Sequence, residues 1–178
     1  PLILKQTYKD FEIIFVDSGS TDGSLETIKN FLNNSENVQL THIKKEEFTF
    51  GKSLNIGFSK ATGEIVISLS AHCFPTSEEW LKNITQPFSN SNIGIVFGKQ
   101  SPHENTRFSE ASVQQKWFSG ESMVREEIFL NNGNAAYRKS LWEEIKFDEK
   151  LTGLEDINFG LYAKSKGWQL YYSNESDV

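Results

Sequence analysis

The side chains best suited to chemistry fall in three stretches, Asp17-Ser18-Gly19-Ser20, Ser70-Ala71-His72 and Glu155-Asp156. Asp17 closes the apolar run Phe11–Val16 and opens a loop of turn formers and helix-capping residues that continues to Ser24. A fixed carboxylate at a strand end, beside the free N–H groups of a helix start, can seat a nucleoside; the same pattern also describes a well-capped helix entry. Ser70, Ala71 and His72 sit where the run Ile65–Leu69 should leave its sheet, and ligands of open α/β sheets collect at the carboxyl ends of strands. Imidazole is a common transition-metal ligand and Mg²⁺ prefers oxygen, so this stretch could serve a metal and a diphosphate, although a lone histidine is more often a hydrogen-bonding residue. Glu155-Asp156 opens a helix, where the macrodipole stabilises carboxylates with or without a function. Lys52, Lys99 and Arg138 read as solvated surface charges, and Cys73 as a small core residue.

The elements that must position these residues follow from periodicity. Phe11–Val16 is nearly all apolar and predicts a central strand. Leu25, Ile28, Phe31 and Leu32 predict a helix after the Asp17 loop, and Val38–Ile43 a second strand. Phe48-Thr49-Phe50-Gly51 predicts a turn, with a helix from about Lys52 to Lys60 behind it. Ile65–Leu69 predicts a strand buried on both faces. Thr76 and Glu79 have capping-box spacing ahead of a helix carrying Trp80, Leu81, Ile84 and Phe88. Asn92–Gly98 is another strand, and from Lys99 to about Asn131 periodicity fades apart from a helix around Ser109 to Phe118. Asn132–Arg138 predicts an extended piece, followed by a helical turn at Ser140–Glu143. Glu155 starts a helix with Ile157, Leu161 and Tyr162 on one face and Gly167 as its stop, before a last strand at Trp168–Tyr172. Helices alternating with apolar strands predict α/β architecture with a largely parallel sheet flanked by helices.

At 178 residues the chain suits one domain with a sizeable core. A net charge of −6 argues against nucleic acid as a partner. No apolar run approaches a membrane span, and a single cysteine excludes an internal disulfide and fits the cytoplasm. Sequons at Asn33, Asn83 and Asn174 are of the kind an Asn- and Ser-rich chain produces by chance. The chain opens on Pro1 without an initiator methionine, which suggests an excerpt of a longer protein.

The order of Asp17-Ser-Gly-Ser-Thr-Asp-Gly-Ser24, Gly51–Gly57 with Ala61–Glu64, the Ser70–His72 strand end, Asn132-Gly-Asn134, and Phe147-Asp-Glu through Gly153–Asp156 resembles the family 2 glycosyltransferases of the GT-A fold. Phe97-Gly98-Lys99-Gln100 followed by Pro102 is similar to the bacterial rhamnosyltransferase-like subgroup of surface polysaccharide synthesis. The resemblance covers nearly the whole chain and implies one GT-A domain over residues 1–178, truncated at both ends and lacking the family's first strand. It implies an inverting transfer of a hexosyl or deoxyhexosyl group from a nucleotide diphosphate sugar to a saccharide or lipid-linked saccharide acceptor. Asp17 would bind base and ribose with Ser18, Gly19 and Ser20, while Lys52, Asn55, Ser70, Ala71 and Asn134 complete the donor site. Asp156 would be the catalytic base, with Glu155 beside it.

The chain also departs from the family pattern. Ser70-Ala71-His72 stands in place of Asp-x-Asp, whose last residue holds a divalent metal, so His72 becomes the expected ligand of a Mn²⁺ or Mg²⁺ cofactor. Missing terminal segments leave room for peripheral association with the cytoplasmic face of the membrane. Two readings of other classes stand beside this one. They are a non-catalytic saccharide- or nucleotide-binding domain on a decayed transferase scaffold, and a nucleotidyltransferase.

Overall fold

The structure is a computed structural model that describes residues 2–33, 37–102, 106 and 108–178. β1 (Ile13–Asp17) and β2 (Val38–His42) pair in parallel across α1 (Ser24–Leu32), which places Asp17 opposite His42. α2 (Phe50–Lys60) packs on β1 and leads into β3 (Ile65–Leu69). α3 (Trp80–Thr85) and a 3₁₀ turn at Gln86–Ser89 precede β4 (Ile93–Gly98); α4 (Phe108–Trp117) and β5 (Met123–Arg125) follow it. β6 (Asn134–Arg138) runs directly into α5 (Lys139–Ile145), and α6 (Glu155–Ser165) into β7 (Gln169–Ser173).

The strands form two sheets, the β1–β2 pair and a five-stranded sheet of order β3-β6-β4-β7-β5. β4 and β7 are parallel, but β6 is antiparallel to both β3 and β4, and β5 is antiparallel to β7. The α/β class expected from sequence holds, while the largely parallel sheet is corrected to a mixed one. β6 begins beside the residues where β4 ends, with Ala135 opposite Phe97, so the two strands run antiparallel; a parallel pair would need a crossover back to the opposite end of the sheet. The segment between them holds β5, a three-residue strand too short for its periodicity to show.

Side chains alternate between two faces with the strand period. Val66, Ile95, Phe97, Ala135, Tyr137, Leu170 and Tyr172 face one core with Phe58 of α2, Trp142 of α5 and Phe159 of α6. Val96, Ala136 and Tyr171 face the other, under Trp80, Leu81 and Ile84 of α3. β4, paired on both sides, is buried at all six residues. β3 is corrected from a strand buried on both faces to a mostly half-buried one, because it pairs on one side only. β1 is half-buried in the same way.

Local signals also shift. Thr49 caps α2 by accepting the Lys52 N–H at 3.1 Å, so the expected turn supplies the first residues of the helix. The Thr76–Glu79 capping box does not form: Thr76 N–H and Oγ1 both donate to the Asp177 carbonyl, and Glu79 pairs with Lys82 at 2.7 Å. On α6 the buried face is Glu155, Phe159, Gly160 and Ala163; Leu161 and Tyr162 point to solvent instead.

Candidate active site

Asp17 ends β1 as a buried carboxylate around which the next residues fold. Gly19 N–H donates to its Oδ2 at 2.9 Å and Ser20 N–H to its Oδ1 at 3.1 Å, while Ser18 lies half-buried between them. Gly19 has φ +95, a left-handed conformation that lets the loop double back over the carboxylate at no steric cost. His42 Nδ1 lies 3.3 Å from Oδ2. The Ser20 hydroxyl first, against the opposing effect of burial, then the Gly19 and Ser20 N–H groups and His42, hold the Asp17 carboxyl down at about 2. It is therefore ionised and acceptor-only at neutral pH.

The other two stretches are joined through the turn before β6. Ser70 N–H donates to the Gly133 carbonyl at 3.0 Å and the Ser68 hydroxyl to the Asn132 carbonyl at 2.6 Å, which fixes the tip of β3 to that turn. Asn132 N–H in turn donates to Asp156 Oδ2 at 3.3 Å. Asp156 Oδ1 accepts the Ile157 N–H at 2.7 Å, at the start of α6. Burial pushes the Asp156 carboxyl above its ordinary value and the negative charge of Glu155 adds to this, against the N–H groups of Ile157 and Asn132. Glu155 points inward, 6% exposed, and its Oε1 accepts the Asn132 side-chain N–H at 2.9 Å. Expected beside the catalytic base, its carboxylate is turned into the protein against Asn132.

Several expected donor-site residues are engaged within the chain. Asn55 donates to the Phe147 carbonyl and Glu149 Oε1, both at 2.9 Å, and accepts from Trp142 Nε1 and the Phe147 N–H. It ties α2 to the 147–149 loop and leaves no polar group for a nucleotide. Asn134 is fully buried, accepting from Trp80 Nε1 at 3.1 Å and donating to the carbonyls of Lys99 and Ser176. In the fold both amides are hydrogen-bond nodes between distant segments. Lys52 pairs with Glu47 at 2.7 Å. Arg138, expected in solvent, donates to the carbonyls of Ile93, Phe88 and Asn90.

Ser70, Ala71 and His72 form a turn closed by Cys73 N–H on the Ser70 carbonyl at 2.9 Å, with Ala71 and His72 exposed. Among the described residues no three His, Cys, Asp or Glu side chains converge as a metal group would require. The exposed His72 does not by itself make a resident metal centre, so the metal expected there has no geometric support and no step below runs through one. A cavity of about 570 Å³ between the Gln86–Ser89 turn and the end of β7, lined in part by Asn83, Tyr171 and Glu175, contains none of these site residues.

Sequence reasoning missed His42, Asn132 and Tyr137. Strand pairing brings His42 to Asp17, and only the fold shows Asn132 between two carboxylates with the Tyr137 hydroxyl donating to its Oδ1. The signal available was the Asn132-Gly-Asn134 turn, read as an extended segment.

The described site is a strand-end carboxylate loop and an acidic helix start, the latter joined through a turn to a third strand end. The model of glycosyl transferase family 2 matches residues 2–146, and the chain belongs to that family. It is 27% identical over 188 residues to the O-antigen chain rhamnosyltransferase RfbN of Salmonella typhimurium, covering 99% of this chain and 59% of the relative. It is 24% identical to the O-antigen chain rhamnosyltransferase WbaN of Salmonella anatum, covering 98% and 58%. The chain thus spans a little under three fifths of these relatives. The fold is that of S. aureus TarS 1-349 in complex with UDP (TM-score 0.75, 21% identity, 99% of this chain and 54% of that one). It is also that of the mannosyltransferase PcManGT from Pyrobaculum calidifontis in complex with GDP-Man and Mn²⁺ (TM-score 0.72, 20% identity, 98% and 49%).

Proposed function

We propose that this domain transfers a sugar, with inversion, from a nucleotide diphosphate sugar to a saccharide hydroxyl in surface polysaccharide synthesis. The observation that carries the reading is Asp156, a half-buried carboxylate held at a helix start with its proton affinity raised by burial and by Glu155. An oxyanion so placed takes a hydroxyl proton more readily than an exposed aspartate does. The acceptor oxygen forms its bond to the anomeric carbon as the bond to the diphosphate oxygen breaks on the opposite face. The bonding pair leaves with the nucleotide diphosphate, and the acceptor proton ends on Asp156. Asp17, ionised at neutral pH, is in the state in which ribose hydroxyls or a base N–H would find an acceptor.

The donor class is supported by the UDP and UDP-GlcNAc complexes of a structural neighbour, and the acceptor class by the O-antigen relatives. Among the described residues no helix is long and apolar enough to cross a membrane. We place the reaction on the cytoplasmic side, in keeping with the free thiol of Cys73, with lipid-linked saccharides as acceptors.

The test uses the full-length protein with a panel of nucleotide-activated hexoses and deoxyhexoses that includes UDP-GlcNAc. Nucleoside diphosphate release with an inverted anomeric product is the expected result, and Asp156→Asn should lower kcat by roughly 10²- to 10⁴-fold without weakening donor binding. Pyrophosphate release would instead indicate nucleotidyl transfer. Binding without release would indicate a non-catalytic scaffold.

A further inference from the structure

We infer that Asn132 is the positioning residue of the transfer reaction, its carboxamide oriented by the buried Tyr137 hydroxyl so that it clamps Glu155 and sets its own N–H against Asp156. The inference rests on the reading of Asp156 as the base and concerns what holds that base in place.

Every polar group of Asn132 is committed. Its N–H donates to Asp156 Oδ2 at 3.3 Å, its carbonyl accepts from Ser68 at 2.6 Å, its Nδ2 donates to Glu155 Oε1 at 2.9 Å, and its Oδ1 accepts from the Tyr137 hydroxyl. One residue therefore links β3, β6 and α6. The carboxamide could sit in two orientations related by a flip. In the observed one, the phenol proton meets Oδ1 and the amide protons meet the Glu155 carboxylate. The flipped one sets Oδ1 against that carboxylate, acceptor facing acceptor, beside a Glu155 that is only 6% exposed and has little water to relieve the repulsion.

Tyr137 is completely buried, and burial, together with the charges of Asp156 and Glu155, raises its phenol well above the usual range. It stays a donor at every pH the enzyme meets. Glu155 on α6 and Tyr137 on β6 are the titratable groups facing Asp156. The clamp thus fixes the carboxylate of Glu155, whose charge raises its chain neighbour Asp156, and lends Asp156 an N–H that limits the rise.

Two substitutions should move Asp156 in opposite directions. Tyr137→Phe frees the carboxamide, loosens the Asn132 N–H, and so raises the titration midpoint of Asp156. Glu155→Gln keeps an oxygen for Asn132 but removes the like charge, and so lowers it. The measurement is a ¹³C carboxyl titration of the full-length protein without substrate, the Asp156 resonance being assigned by its loss in Asp156→Asn, together with hydrogen exchange of the Asn132 N–H.

Opposite shifts, with faster Asn132 exchange in Tyr137→Phe, are the expected result. Asn132→Ala, at a half-buried turn position, removes the side-chain bonds to both Tyr137 and Glu155 without cutting into the core and should repeat the Tyr137→Phe result if that variant does not fold. Folded variants with an unmoved Asp156 titration and unmoved Asn132 exchange overturn the inference. In transfer assays Tyr137→Phe should lose roughly ten- to a hundredfold in kcat with donor Kd unchanged. Wild-type turnover in Tyr137→Phe while Asp156→Asn is dead removes the positioning role alone; normal turnover in Asp156→Asn removes the base reading itself.

Discussion

His42 Nδ1 stands 3.3 Å from Asp17 Oδ2, at matched ends of two parallel strands whose register pairs the two residues directly. Twenty-five positions apart in the chain, they meet because α1 returns the chain to the same sheet edge. The contact completes a shell in which two backbone N–H groups and an imidazole surround one carboxylate.

The Asp17 carboxyl is held at about 2, below its ordinary value of 3.8, so its charge stabilises the folded state at neutral pH. That contribution is complete above pH 3.8 and disappears as the pH falls through 2. Asp17→Asn should cost roughly 1.5–3 kcal/mol at pH 7, the scale of hydrogen bonds to a charged group, and this cost should shrink toward pH 2. Denaturant melts of both proteins between pH 2 and pH 7 check it; a difference independent of pH would mean that shape, rather than charge, matters at this position.

Gly98 ends β4 against the buried Asn134 amide. A Cβ built there would lie 2.3 Å from both Asn134 Nδ2 and the Ser176 carbonyl oxygen, closer than any side chain tolerates. Gly98→Ala should therefore cost about 1–3 kcal/mol through overpacking. Gly153→Ala, where a Cβ meets open space, should change stability by less than about 0.5 kcal/mol. Thermal melts of the pair decide whether close approach, rather than glycine's freedom, sets the requirement at Gly98.

Much of this was legible in the sequence where local pattern and tertiary demand agree. The apolar runs at Ile13–Val16, Ile65–Leu69 and Ile93–Phe97 and the polar tips at Asp17 and Ser70 appear where expected, since strand and loop residues were chosen by their immediate neighbours. What could not be read depended on partners distant in the chain. The family resemblance put Asn55 and Asn134 in the donor site, but an amide in the sequence carries no mark of the indole N–H it will meet, here from Trp142 and Trp80. Thr76 and Glu79 had the right spacing for a cap, but the Asp177 carbonyl took the threonine's donors. The buried face of α6 was misjudged because a buried Glu155 defies the hydrophobic pattern used to find faces.

Leu154, the residue before Glu155, has φ 61 and ψ 21 with its side chain 72% exposed. A left-handed leucine costs about 1–2 kcal/mol, and here no packing offsets it. Leu154→Gly releases that strain but gains unfolded-state freedom worth roughly 0.5–1 kcal/mol, so a net stabilisation of up to about 1 kcal/mol is expected. Leu154→Ala keeps the strained φ and should give no such gain. Chemical denaturation of the two variants separates backbone strain from loss of the leucine side chain.

Asp156 makes the opposite pH prediction to Asp17. Its folded-state proton affinity is raised above the ordinary value of 3.8, so the folded protein binds this proton more tightly than the unfolded chain. The ionised form is then a cost to stability, absent at low pH, growing as pH rises past 3.8 and complete above the folded pKa. Asp156→Asn cannot ionise and escapes that cost, although it gives up an acceptor for one of the two N–H groups now bound by the carboxylate. The absolute melting temperature of the variant mixes these effects, whereas its pH dependence isolates the first. Relative to wild type, the variant should become more stable as pH is raised from 3 until it passes the folded pKa, by about 1.4 kcal/mol for each unit by which the folded pKa exceeds the unfolded one. A gap that stays constant over this range would show that the carboxylate ionises as freely in the folded protein as in the unfolded chain, and would leave Asp156 without the raised proton affinity on which its role as base depends.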